Sequence, residues 1–362
     1  MIDVVNRPGD EQLETLTRKL ARAVISDARD ENSLVEGSFD PFSEIAGDKT
    51  AAPARLSELL ACSSVDRQRK LLSDPRYPTY ALATYALERS EQAIGHSPGA
   101  SLELARLARL IVARLDRRAC GGSAALADLG AYAFAMEGNA FRVSGSFQRA
   151  LEKFAMAREI QGRSGGADPD LTARIDRLES SLRRCLGQLD SALALLDRAE
   201  NLFDTLRSNQ QLALTMINRS NVFFVQGDFD QAMAVLERAQ DLSQDPYVLL
   251  CVRHNSIDIL ARSGRPQEAA RLLEKTRSLY SDHVSPLLTS RRLWVESVIL
   301  RKIGGDLDLV QELMLKATNQ LVDHGYDSSV AAIELAALRE RERRQRRPVS
   351  LEMNPSPERQ AL

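Results

Sequence analysis

The stretch GSFQRALEKFAMA, running from Gly145 to Ala157, decides how the rest of this chain is read. Its glycine is a helix stop, and Phe147, Ala150, Phe154 and Ala157 then recur three and four residues apart, which places them on one face of the next helix. Alanine at two of these places lets a neighbouring helix come close, and phenylalanine one turn on fills the gap between layers. The pattern returns as Gly187, Leu189, Ala192, Leu196, Ala199 and again as Gly227, Phe229, Ala232, Leu236, Ala239. A looser copy reads Gly264, Pro266, Ala269, Leu273, Thr276. The central small residues fall at 150, 192, 232 and 269, with Val310 in the same place of a fifth unit, so the intervals are 42, 40, 37 and 41. A near-constant period of this length predicts stacked helical hairpins, each burying its apolar face on its neighbour.

The junctions between units carry start signals. Asp168-Pro169, Asp245-Pro246 and Ser285-Pro286 each set a capping side chain before a proline at the first helical position. The cap accepts from free backbone N–H groups, and proline has none to lose.

Outward from this array the chain divides into five parts. Residues 1–53 hold an amphipathic helix over Glu11 to Arg29 and then a flexible acidic linker from Glu31 to Pro53, where the periodicity stops. Residues 54–123 form a divergent helical region, in which Ser101, Ala105 and Ala108 mark a degenerate copy of the repeat. Residues 124–325 are the array, 326–347 a C-terminal capping helix started by Asp327, and 348–362 a disordered tail. The expected fold is all-α, a right-handed superhelix of antiparallel hairpins.

At the residues just named the chain resembles the tetratricopeptide repeat. The segment from Phe134 to Ala157 carries the resemblance best, through Gly138, Asn139, Ala140, Phe141, Gly145, Ala150, Phe154 and Ala157. Gly187, Ala192, Ala199, Gly227, Ala232, Ala239, Gly264 and Ala269 hold the same places in later units, and Trp294 falls where the motif favours a tryptophan. The period departs from the usual 34 residues, and Ser220 and Ile257 replace the glycine of the first helix. The resemblance implies a non-catalytic scaffold or adaptor whose first helices line a concave face that takes a protein, most simply a peptide or a helix. The residues expected on that face are Asn139, Arg142, Arg184, Asn218, Asn221, His254, Asn255, Asp258 and Lys302. Asn221 and Asn255 lie on consecutive units, and an amide accepts from N–H and donates to C=O at once, which suits an extended backbone. The three basic residues add contacts to acidic groups.

Composition excludes several classes. The 362 residues carry a formal net charge of −2, which gives no global attraction to nucleic acid or anionic lipid. No apolar run approaches the roughly 20 residues of a membrane helix. The cysteines Cys62, Cys120, Cys185 and Cys251 are far apart and read as reduced core thiols, and the four histidines read as loop or surface groups. No metal-ligand spacing, phosphate loop or nucleophile motif occurs, so no catalytic residue, metal or cofactor is expected. These features point to the cytoplasm. The arginine-rich stretch from Arg339 to Arg347 reads first as the polar end of the array. The alternative is a regulator working with a transcription or signalling partner, touching nucleic acid through that end.

Overall fold

A computed structural model describes residues 41–115, 122–164 and 168–346; among them are fifteen helices and no strand. The helix expected over 11–29, the linker from 31 to 40, Cys120 and the tail 348–362 lie outside the described residues.

Two helices precede the hairpins, α1 (Pro41–Ala61) and α2 (Ser64–Ser73). The first corrects the expected linker, because helix runs through its second half with Pro53 inside. A proline within a helix costs about 3 kcal/mol. Leu56 and Leu59 offset it by burial in the N-terminal core, at about 1.5–3 kcal/mol each.

Six hairpins follow: α3 (Tyr80–Ala93) with α4 (Pro98–Val112), α5 (Ser123–Val143) with α6 (Phe147–Ser164), and α7 (Pro169–Cys185) with α8 (Leu189–Thr205). Then come α9 (Asn209–Gln226) with α10 (Phe229–Leu242), α11 (Pro246–Arg262) with α12 (Pro266–Asp282), and α13 (Pro286–Lys302) with α14 (Leu307–Asp323). A last helix, α15 (Ser329–Arg346), packs on α14.

The repeat positions make the core. Ala150, Phe154 and Ala157, with their equivalents through Val310, Met314 and Ala317, are buried in every unit. Thr276 replaces the last alanine without leaving a polar orphan, because its hydroxyl donates to the Leu272 carbonyl at 2.7 Å. Gly138 is the point where α5 meets α6, and a Cβ there would lie 2.9 Å from the Phe154 ring. Gly145, Gly187, Gly227, Gly264, Gly304 and Gly325 all have φ between +73° and +88°, left-handed backbone that costs glycine little. Trp294 is half-buried and joins the cores of the last two hairpins.

The proline caps form as the dipeptides require. Asp168 accepts from the N–H groups of Asp170 and Leu171, Asp245 from those of Tyr247 and Val248, and Ser285 from that of Leu288. Ser97-Pro98 is a fourth case, with Ser97 accepting from the Ala100 N–H.

Buried ion pairs tie neighbouring helices. Glu137 of α5 accepts from Arg109 of α4 at 2.5 Å and lies 3.3 Å from Lys153 of α6. Burial alone would raise its carboxyl, but the two cations hold it below the ordinary value. Asp176 of α7 meets Arg158 of α6 at 2.5 Å and Arg198 of α8 at 2.6 Å.

Successive first helices, from α3 through α13, lie side by side, whereas the second helices pack mainly on the first helices of their own and adjoining units. Such a stack curves with its first helices on the inner side. The curve closes on itself. The Tyr326 hydroxyl donates to the Ile94 carbonyl at 3.0 Å. The Asp327 N–H donates to the Val143 carbonyl at 2.9 Å, and the Leu287 N–H to the Gly95 carbonyl at 3.4 Å. The end of α5 and the turn after α3 therefore touch the start of α13 and the turn after α14.

Candidate functional site

The inner wall is built from polar residues of the first helices, many of which spend part of their bonding capacity on one another. Glu91 of α3 accepts from the Tyr132 hydroxyl of α5 at 3.4 Å and pairs with Arg174 and Arg177 of α7 at 3.5 and 3.3 Å. Arg177 also donates to Gln211 of α9 at 3.4 Å, while its buried Nε has no partner. Asn218 of α9 donates to Ser181 at 3.3 Å and to the Arg177 carbonyl at 3.4 Å, both on α7. Asn255 of α11 donates to Asn221 of α9 at 3.1 Å. The two asparagines singled out in the sequence thus form an amide pair across consecutive units. Both are half-buried, with the Asn221 amide N–H groups and the Asn255 carbonyl oxygen left for other partners among the described residues.

The other expected site residues sort differently. Asn139 is buried, and its carbonyl oxygen accepts from Arg142 at 2.7 and 3.1 Å. Asp258 pairs with Arg262 at 2.8 Å on its own helix. Lys302 is exposed at the end of α13. His254, expected both as a surface group and on the concave face, is buried instead. Its Nδ1 lies 2.7 Å from the Tyr280 hydroxyl of α12, so the ring is turned into its own hairpin. Burial, helped by the positive charge of Arg291, pushes its pKa down to about 3.

Two of the three described cysteines, Cys62 and Cys185, also differ from expectation. Cys185 is exposed, Cys62 and Cys251 are half-buried, and all three are free thiols. Cys185 ends α7 and Cys62 follows α1, whereas Cys251 packs against the core of the third unit. Burial pushes the Cys251 thiol up.

Arg142 and Arg184, at the C-terminal ends of α5 and α7, have a neighbour that sequence reasoning missed, Arg291 of α13. Burial pushes both guanidinium groups down from their ordinary value; Arg291 adds to this at each, and Arg184 adds to it at Arg142. Arg291 also acts on Tyr247, Cys251 and Tyr326, so it sits where the inner wall meets the closing contacts. The one clue to it in sequence is its place on a first helix; its position opposite Arg142 follows only from closure of the curve.

Among the described residues, no group of three His, Cys, Asp or Glu could hold a metal ion, and no helix is long and apolar enough to cross a membrane. Side chains beyond Glu340 lie outside the description, including most of the arginine-rich end.

The profile of the tetratricopeptide repeat matches residues 213–238 and 253–275, in the third and fourth units counted from Gly145. No curated protein matches the sequence. Among solved structures, a Rap protein complexed with Competence and Sporulation Factor superposes with a TM-score of 0.52 at 11% identity, covering 93% of this chain and 99% of that one. Aspartyl phosphate phosphatase F from Bacillus subtilis superposes with a TM-score of 0.49 at 14% identity, covering 94% and 96%.

Proposed function

Because this chain is built of tetratricopeptide-type helical repeats, we propose that it is a non-catalytic scaffold or adaptor that binds a peptide or a helix along its inner wall. The observation that carries the reading is the Asn221–Asn255 pair on consecutive first helices, with one amide face and one carbonyl left over. An extended backbone presents C=O and N–H groups alternately, and this pair matches one of each. The neighbouring polar wall, from Glu91 through Arg177 and Gln211 to Asn218, is already cross-linked, so docking there orders few side chains and loses little entropy. The Rap protein of similar fold is complexed with Competence and Sporulation Factor, a parallel for occupancy of this kind of array. The cytoplasm belongs to the same reading, since the described cysteines are free thiols.

Selection from a random peptide library tests it. The full-length chain should enrich a defined set of peptides, and Asn221→Ala combined with Asn255→Ala should weaken their binding about tenfold, the loss of one or two hydrogen bonds. Enrichment of nothing by the wild-type chain, or equal binding by the double variant, removes the proposed seat.

A further inference from the structure

We propose that the guanidinium groups of Arg142, Arg184 and Arg291 form one anion site inside the closed curve, which holds a doubly charged acid group of a peptide, either two adjacent carboxylates or one phosphate. The inference rests on the inner wall being the peptide seat and names what the peptide must carry.

The three arginines come from α5, α7 and α13, far apart in the chain. Closure brings them together. The Asp327 N–H bonds the Val143 carbonyl at 2.9 Å, one residue beyond Arg142, and the Leu287 N–H bonds the Gly95 carbonyl at 3.4 Å, one helical turn before Arg291. Tyr326, whose hydroxyl reaches Ile94 at 3.0 Å, lies within the field of Arg291.

These arginines lack what their neighbours have. Arg158, Arg174, Arg177, Arg183, Arg219 and Arg262 each hold a carboxylate within 4 Å. Arg142 meets the neutral amide of Asn139 and the Cys185 side chain, neither of them a carboxylate. Arg184 and Arg291 have no hydrogen bond or ion pair among the described residues. Bringing like charges together and partly desolvating two of them works against folding. A bound anion removes that cost, and the planar forks of guanidinium groups match oxyanions in pairs.

The charge count selects the ligand. One carboxylate would leave two of the three cations unbalanced. A phosphate carries about −1.5 to −2 at neutral pH, and two adjacent carboxylates carry a similar charge. Asn221 and Asn255 would hold the backbone of the same segment along the wall, leaving the arginines to read its acid group.

Two measurements on the full-length protein decide the matter. In the first, three labelled peptide sets share one randomised frame and differ at a fixed place, which holds Glu-Glu, phosphoserine or Gln-Gln. One charged set should bind at least tenfold tighter than the Gln-Gln set, and which one identifies the acid group. That advantage should vanish in Arg184→Gln with Arg291→Gln, and shrink in Arg291→Gln alone, a change at an exposed side chain. In the second, inorganic phosphate should raise the Tm of the wild-type chain above that in chloride of equal ionic strength, and not that of the double variant. Equal binding of charged and Gln-Gln sets overturns the anion site and leaves the peptide reading standing. Binding of no set overturns the peptide reading, and the phosphate measurement then still decides the site. Equal stabilisation of wild type and variant by phosphate overturns it.

Discussion

His254 shows how far one side chain can stand from its residue type. Histidine on a first helix reads as a polar group for a partner, yet this ring is buried against Tyr280 and stays neutral with a pKa of about 3 against an ordinary 6.5. Between those values the unfolded chain binds a proton that the folded chain refuses, so the contribution is complete above pH 6.5 and falls as pH drops toward 3. At pH 5 the loss from this group is about 2 kcal/mol, from 1.36 kcal/mol per unit. Urea midpoints at pH 7.5 and 5.0 should therefore differ less in His254→Gln than in the wild type; an unchanged difference assigns the acid sensitivity elsewhere. Glu137 titrates in the same sense at lower pH. Its carboxyl is held below 4.5 by Arg109 and Lys153, so its contribution persists above that value and is lost as pH falls through the folded pKa.

The helical hairpin is the element in which this fold is written, and Gly138 is its tightest point. Ala at that place would put a methyl 2.9 Å from the Phe154 ring, an overpacking that costs about 1–3 kcal/mol. Gly138→Ala should lower the urea midpoint, and Phe154→Leu in the same chain should cost less than it does alone, because the two changes relieve one another. The hairpins were legible in the sequence for a local reason. Spacing of three and four, a left-handed glycine and an aspartate before proline all act within one turn of chain, and Ala150, Gly227 and Asp245 each do in the structure what their neighbours in sequence imply. The helix through Pro53 was not legible, because burial of Leu56 and Leu59 in a distant core decides it. Of the candidate site, the asparagine pair could be read from repeat register. The direction of His254 and the company of Arg291 could not, since both depend on what neighbouring hairpins leave open.

At the scale of the molecule the governing feature is the set of contacts between the chain near residues 94 and 143 and that near 287 and 326. They join positions up to 232 residues apart, and no local pattern encodes them. Their strength can be read directly. Tyr326→Phe removes one hydrogen bond worth about 1 kcal/mol. Hydrogen exchange at the Asp327 and Leu287 amides should quicken about five-fold, while amides in the hairpin cores keep their protection. Unchanged exchange at those two amides would mean that the hydroxyl holds nothing shut. An open solenoid tolerates gain or loss of a unit, because each unit answers only to its neighbours. Here an added or a missing copy anywhere between Ile94 and Tyr326 would carry the two rims past each other. The tally of repeats is thus locked, and lengthening this protein by duplicating a unit would undo the seam between its two rims.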